Sequence, residues 1–178
     1  MHLSSAASGL YLTIAPIVMT ICAPITGYLS DRFGARFFTT LGMVFSVISL
    51  LVLGFIGDSH TVFLEHTLLV VGLLFAGLGT GTFAAPNNSA IMGAAPRESQ
   101  GVASGSLATF RYIGMMAGIT VGGSLFDFLL TLYANHSNPY STTFILAFSH
   151  TMWIGALLGL CGVLCTLFMT RNKGSVTI

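Results

Sequence analysis

The sequence predicts an all-α protein that crosses a lipid bilayer several times, and three observations carry that expectation. Hydrophobic residues make up 54% of the 178-residue chain and charged residues only 6%, with a mean hydropathy of +0.89. A soluble domain carries roughly 25% charged side chains because its surface faces water. Six basic and five acidic residues cannot build such a surface, so lipid is the expected solvent. The second observation is a set of apolar stretches at residues 10–29, 37–56, 67–95, 101–132 and 143–169. Each reaches the roughly 20 residues that cross about 30 Å of hydrocarbon at about 1.5 Å per residue. Helices are expected, since lipid offers no partner to a free backbone group, and two-residue alternation is absent.

The third observation is where the basic residues fall. Arg32 and Arg36 lie between the first and second stretches, Arg97 between the third and fourth, and Arg171 with Lys173 after the fifth. The segments after the second and fourth stretches, and the first nine residues, hold no Lys or Arg. The positive-inside rule then puts the arginine-bearing turns in the cytoplasm, the amino terminus outside and the carboxy terminus inside. No signal peptide is read at the amino terminus, which lacks a basic region before a short apolar core.

The stretches differ in kind. The second and fifth hold large apolar groups, among them Phe45, Ile48, Leu50 and Leu51, then Phe144, Trp153 and Leu157. The first, third and fourth carry Pro16, Pro24, Pro86, Asn87, Asn88 and many Gly, Ser and Thr. Small and polar residues suit close packing or a wet cavity. Helices one, three and four are therefore expected toward the protein interior, and two and five toward lipid. Glycines four apart (Gly77 and Gly81; Gly114, Gly118 and Gly122; Gly155 and Gly159) mark smooth faces for helix packing.

A net charge of +1 gives a nucleic-acid partner no electrostatic support. Cys22, Cys161 and Cys165 sit in apolar stretches and read as small hydrophobes. His60, His66, His136 and His150 show no metal-ligand spacing, and no pattern calls for a cofactor. No nucleophile–base pair is visible, so an enzyme is not expected. Asn135-His136-Ser137 matches a glycosylation acceptor on the expected outer side, a triplet common by chance.

Two places could carry function. The run from Gly27 through Asp31, Arg32 and Gly34 to Arg36 forms a tight turn between antiparallel helices. Gly34 can supply backbone freedom, Asp31 is favoured near a helix amino terminus, and the arginines can pair with carboxylates or phosphates. A solvated turn obeying the positive-inside rule would have the same composition. Within the spans, Pro86 frees a carbonyl one turn earlier, and Asn87 reads either as a cavity-lining amide or as a structural hydrogen bond. Arg111 lies two to three turns inside the fourth helix. It either faces a cavity or extends to the interface. Asp127, near the far end of that helix, reads as an interfacial carboxylate.

The pattern G-xxx-D-R-x-G-x-R at residues 27–36 resembles the cytoplasmic-loop motif of the major facilitator superfamily, in its second copy between the eighth and ninth spans. Gly77-Leu78-Gly79-Thr80-Gly81, then Pro86-Asn87, Pro96, Gly101 to Gly105, Arg111 and Gly114 resemble the tenth and eleventh spans of the fourteen-helix drug:proton antiporter branch, counted on a twelve-helix core. Ala7 through Pro16 resembles the start of the eighth span.

The resemblance implies a partial carboxy-terminal half of a facilitator fold, with the amino-terminal half as a missing partner. It implies proton-coupled efflux of drugs or small metabolites by alternating access, across the inner membrane. Gly27, Asp31, Arg32, Gly34 and Arg36 would form a cytoplasmic gating latch, weakened where Ala35 stands for a basic residue. Pro86, Asn87 and Arg111 would border the central cavity. No carboxylate is expected at mid-membrane, so the chain names no proton site. A self-assembling channel or scaffold is the other class the glycine stripes would serve.

Overall fold

The computed structural model describes residues 5–56, 62–134 and 140–171. His60, His136, the Asn135-His136-Ser137 triplet and Lys173 lie outside the described residues. Long helices fill the described chain: α1 (Ser5–Phe33), α2 (Ala35–Gly54), α3 (Val62–Ala94), α4 (Gln100–Ala134) and α5 (Tyr140–Arg171), with a 3-10 turn at Arg97–Ser99 before α4. Five of them are long and apolar enough to cross a membrane. The fold is all-α, and the protein is a multi-pass membrane protein.

The helices outrun the apolar stretches. α1 continues through Ser30, Asp31 and Arg32 to Phe33, and α3 begins at Val62, taking in Glu65 and His66. A helix keeps its hydrogen bonds inside the segment, so polar flanks prolong it until a residue breaks the ladder. Gly34 is such a residue. It alone separates α1 from α2, at φ +93°, and its N–H donates to the Ser30 carbonyl at 2.8 Å. Pro16, Pro24 and Pro86 lie inside unbroken helices. Each lacks an N–H and leaves a carbonyl unpaired one turn earlier, which side chains and neighbouring helices can satisfy.

The packing runs in the order α1, α3, α2, α5, α4, with α3 along both α1 and α2, and α2 also along α5. Glycines set the closest approaches. A Cβ on Gly42 of α2 would come 2.6 Å from the Phe83 nitrogen and 2.8 Å from the Gly79 oxygen. One on Gly77 would meet the Ala15 carbonyl of α1, and one on Gly159 would meet Val47 at 2.8 Å. Without a hydrophobic gain between helices in lipid, such close backbone contact supplies the packing energy. Val47, Ala156 and Val163 form the small core between α2 and α5, with Met43, Leu50 and Leu51 against it. Two buried or half-buried hydroxyls tie helices together. Ser49 donates to the Gly72 carbonyl at 2.8 Å and Thr26 to the Gly81 carbonyl at 3.2 Å.

Within this portion of the molecule the packing order does not follow the division by composition. α2, expected toward lipid, sits between α3 and α5 and buries Phe38, Gly42, Val47, Ser49 and Gly54. α5 also packs on two neighbours, through Gly155, Gly159 and Gly162 toward α2 and through Phe144 against Phe126 of α4. α1 and α4, expected inside, are the barest helices of the described chain. The most apolar window of α1 has no buried residue, and Leu129 is the buried residue of α4. Gly42, Ser46 and Ser49 present a small, partly polar face to α3, while Val47, Leu50 and Leu51 turn toward α5. Average composition hides such two-sidedness.

Candidate functional site

The turn cluster comes first in the chain. Gly27 approaches Ala85 of α3, with 3.7 Å between a Cβ at position 27 and the Ala85 Cβ, so the end of α1 is anchored to α3. Ser30, one turn later, is buried at 3% exposure and bonds back to the Gly27 carbonyl. Asp31, Arg32 and Arg36 remain exposed around Gly34. The Arg32 guanidinium lies 5.9 Å from the Tyr28 ring centroid, an exposed cation–π contact worth about 0.5–1 kcal/mol. Among the described residues, Asp31 and Arg36 form no ion pair. The cluster thus brings its charges to one end of the bundle without locking them to each other.

Arg36 also borders a groove of about 750 Å³ between α2, α3 and α5. Thr39, Thr40 and Met43 of α2, Phe83, Asn87 and Ile91 of α3, and Thr166 of α5 contribute to its walls. The two threonine hydroxyls donate to the carbonyls of Ala35 and Arg36, so they offer the groove acceptors. Asn87 brings its amide to this side of α3. Pro86, its neighbour, is the largest fully buried side chain and belongs to the packed interior.

Arg111 is elsewhere. It lies on α4, across the opposite flank of α3, and its Nη2 donates to Oδ1 of Asn88 at 2.5 Å. Residues 109–121 of α4 are exposed throughout, and a Cβ on Gly114, Gly118 or Gly122 would meet nothing within 4 Å. Arg111, Gly114, Gly118 and Gly122 follow one another at steps of three and four, so they share a helix face. α4 closes on α5 farther along, where Leu129 is buried and Tyr133 stacks against His150 at 5.5 Å. The exposed stretch of α4 is thus joined to α3 by one side-chain bond, with open glycines on the same face of α4.

Of the expected cavity residues, the structure joins neither Pro86 nor Asn87 to Arg111. The partner is Asn88. Two consecutive helical residues point about 100° apart, so only one of the two asparagines can face α4. The sequence signal was the pair itself, and packing chose between its members.

A sequence profile of the Major Facilitator Superfamily matches residues 1–177. The chain belongs to the Major Facilitator Superfamily. It is 32% identical over 171 residues to the riboflavin transporter RibZ of Clostridioides difficile, covering 96% of this chain and 36% of that relative. It is 32% identical over 121 residues to the multidrug resistance protein Stp of Mycobacterium tuberculosis, covering 66% and 21%. Against the quinolone resistance protein NorB of Staphylococcus aureus it is 27% identical over 109 residues, covering 61% and 22%. The chain thus spans about a third or less of the length of these transporters and resistance proteins. Within a facilitator, a helix face left bare in one portion of the molecule has other helices, water or cargo to meet.

Proposed function

We propose that this chain forms the carboxy-terminal portion of a proton-driven exporter that moves drugs or small metabolites by alternating access. In this reading it works with a further set of helices, in the inner membrane, with the arginine-bearing turns in the cytoplasm and the amino terminus outside. The observation that carries the reading is the Arg111–Asn88 contact between α4 and α3. A guanidinium inside a membrane span is costly unless it meets a partner or water, and such residues mark transport paths. Here it reaches from an exposed stretch of α4 to a neutral amide. Relatives named for riboflavin, for multidrug resistance and for quinolone resistance support a small organic cargo. Gly27, Asp31, Arg32, Gly34 and Arg36 act as the cytoplasmic latch, their unpaired charges free to engage another element in one of the two access states. Arg111 borders the central path, with Asn88 as its partner on α3, while Asn87 lines the separate groove beside Arg36 and Pro86 packs between the helices.

Inverted membrane vesicles carrying the protein expressed from its full coding region test the reading. A proton gradient should drive accumulation of a fluorescent drug such as ethidium, and an uncoupler should release it. Accumulation no greater than in vesicles lacking the protein would refute it. Asp31→Asn should leave the amount of inserted protein unchanged and slow this accumulation several-fold, and an unchanged rate would remove the latch. One observation favours a second reading, a self-assembling channel or scaffold. The bare glycine face of α4 could pack on another copy, and a discrete conducting oligomer in liposomes would support that reading instead.

A further inference from the structure

We propose that Arg111 and Asn88 together are a receptor for an oxyanion, a carboxylate or phosphate group, carried by the transported molecule. The inference rests on the reading of the Arg111–Asn88 contact as part of the transport path.

The argument begins with charge. Arg111 stands eleven residues into α4, about 17 Å along the helix axis from Gln100. The carboxylates flanking its own helix are distant, Asp127 lying sixteen residues farther along α4, about 24 Å away, and Glu98 preceding the helix, while Asp31 ends α1 on its own contact with α3 and forms no ion pair among the described residues. Glu65 is at the far end of α3, twenty-three residues from Asn88, about 35 Å away. Among the described residues the guanidinium therefore has one polar partner, and that partner is uncharged. An amide accepts a hydrogen bond without neutralising the cation that gives it. A cation in a membrane span with no counter-charge among the described residues can receive an anion.

Hydrogen-bond inventory points the same way. Asn88 spends its acceptor, Oδ1, on Arg111, which leaves the two N–H donors of its Nδ2. Arg111 has five N–H groups and uses one on Asn88. The pair therefore offers a set of donors around a positive charge. Nearby hydroxyls do not add to it, since Ser104 and Thr109 donate to the carbonyls of Gly101 and Gly105. Donors in a planar fork around a positive charge match an oxyanion in both geometry and sign. Shape agrees. Gly114 and Gly118 continue the Arg111 face with open space above them, so a flat or bulky body attached to the anion can lie along α4. Asn88 then has a second role. It occupies the guanidinium while the site is empty, and an arriving oxyanion replaces a neutral acceptor with a charged one.

Two xanthene dyes of opposite charge, fluorescein as the anion and rhodamine 6G as the cation, test the inference. Their binding to the full-length protein purified in detergent is read by fluorescence anisotropy. Fluorescein should bind the unaltered protein, and Arg111→Gln should weaken it at least about tenfold, the scale of one charge-assisted hydrogen bond lost. Arg111→Lys keeps the charge but not the fork and should fall between. Asn88→Asp is the decisive variant, because it gives Arg111 an internal carboxylate. It should weaken fluorescein about as much as Arg111→Gln while leaving the melting temperature equal or higher, with rhodamine 6G no weaker. Failure of fluorescein to bind, or equal binding in the unaltered, Arg111→Gln and Asn88→Asp proteins, overturns the proposal. So does a loss confined to melting temperature or oligomeric state, which would make Arg111 the partner of a carboxylate on another helix. Gradient-driven transport of rhodamine 6G without fluorescein binding would sink the anion receptor and spare the transporter. Fluorescein binding without gradient-driven transport of either dye would do the reverse.

Discussion

Gly42 and Gly118 are the same residue in the same kind of helix, yet their surroundings are opposite. At Gly42 a single added carbon would run into the backbone of α3, and at Gly118 it would meet nothing within 4 Å. The contrast extends to whole regions. In α2 and α3 small residues are consumed by packing inside the chain, whereas the glycines of α4 are left open. Small residues mark faces on which helices pack closely, and the chain spans about a third of its relatives' length, so the open row of α4 is a face that further helices can meet. The difference separates a structural use of glycine from an available one.

Four substitutions would break or sharpen this contrast, and they are ordered by expected effect. Gly42→Leu should lower the stability of the purified protein by about 1–3 kcal/mol or more, the usual cost of overpacking, read as a drop in melting temperature in detergent. Gly34→Ala should cost about 1–2 kcal/mol in the same assay, because φ +93° is a conformation that an L side chain resists. Ser49→Ala removes the bond to the Gly72 carbonyl and should cost about 0.6 kcal/mol, the average for hydrogen bonds between membrane helices. Gly118→Leu should change the melting temperature least, within about 0.5 kcal/mol. The same variant should slow gradient-driven transport, which Ser49→Ala should leave intact. If Gly118→Leu destabilised the protein as much as Gly42→Leu, the two regions would not differ in kind and α4 would have to be packed after all.

Much of the fold was legible in the sequence for one reason. Hydrocarbon imposes length and apolarity on each span, and those are properties a linear reading can count. The glycine pairs at 77 and 81 and at 155 and 159 were also legible as packing faces, since four-residue spacing needs no tertiary knowledge. The neighbours of α2 were not. Phe45, Ile48, Leu50 and Leu51 suggest lipid, but a neighbouring helix and a lipid chain present the same chemistry to them. The decisive signal was Gly42, Ser46 and Ser49 on the other side of the same helix, a pattern that averaging over the stretch erases. At the candidate site Arg111 stood out because a charge inside a span is rare. Its partner did not, because the choice between Asn87 and Asn88 depends on how α3 is turned about its own axis. Neighbours fix that rotation, and local sequence does not.

The single residue between α1 and α2 has a mechanical consequence. A linker of one residue spans about 3.8 Å between Cα atoms, so α1 cannot slide along α2 by even one helical turn. α1 and α2 both lie along α3, and Gly27 and Gly42 bring their backbones close to it. Any rocking of the molecule must therefore carry these three helices as one stiff plate. α4 stands outside this plate, packed on α5 at one end and joined to α3 by a single side-chain bond.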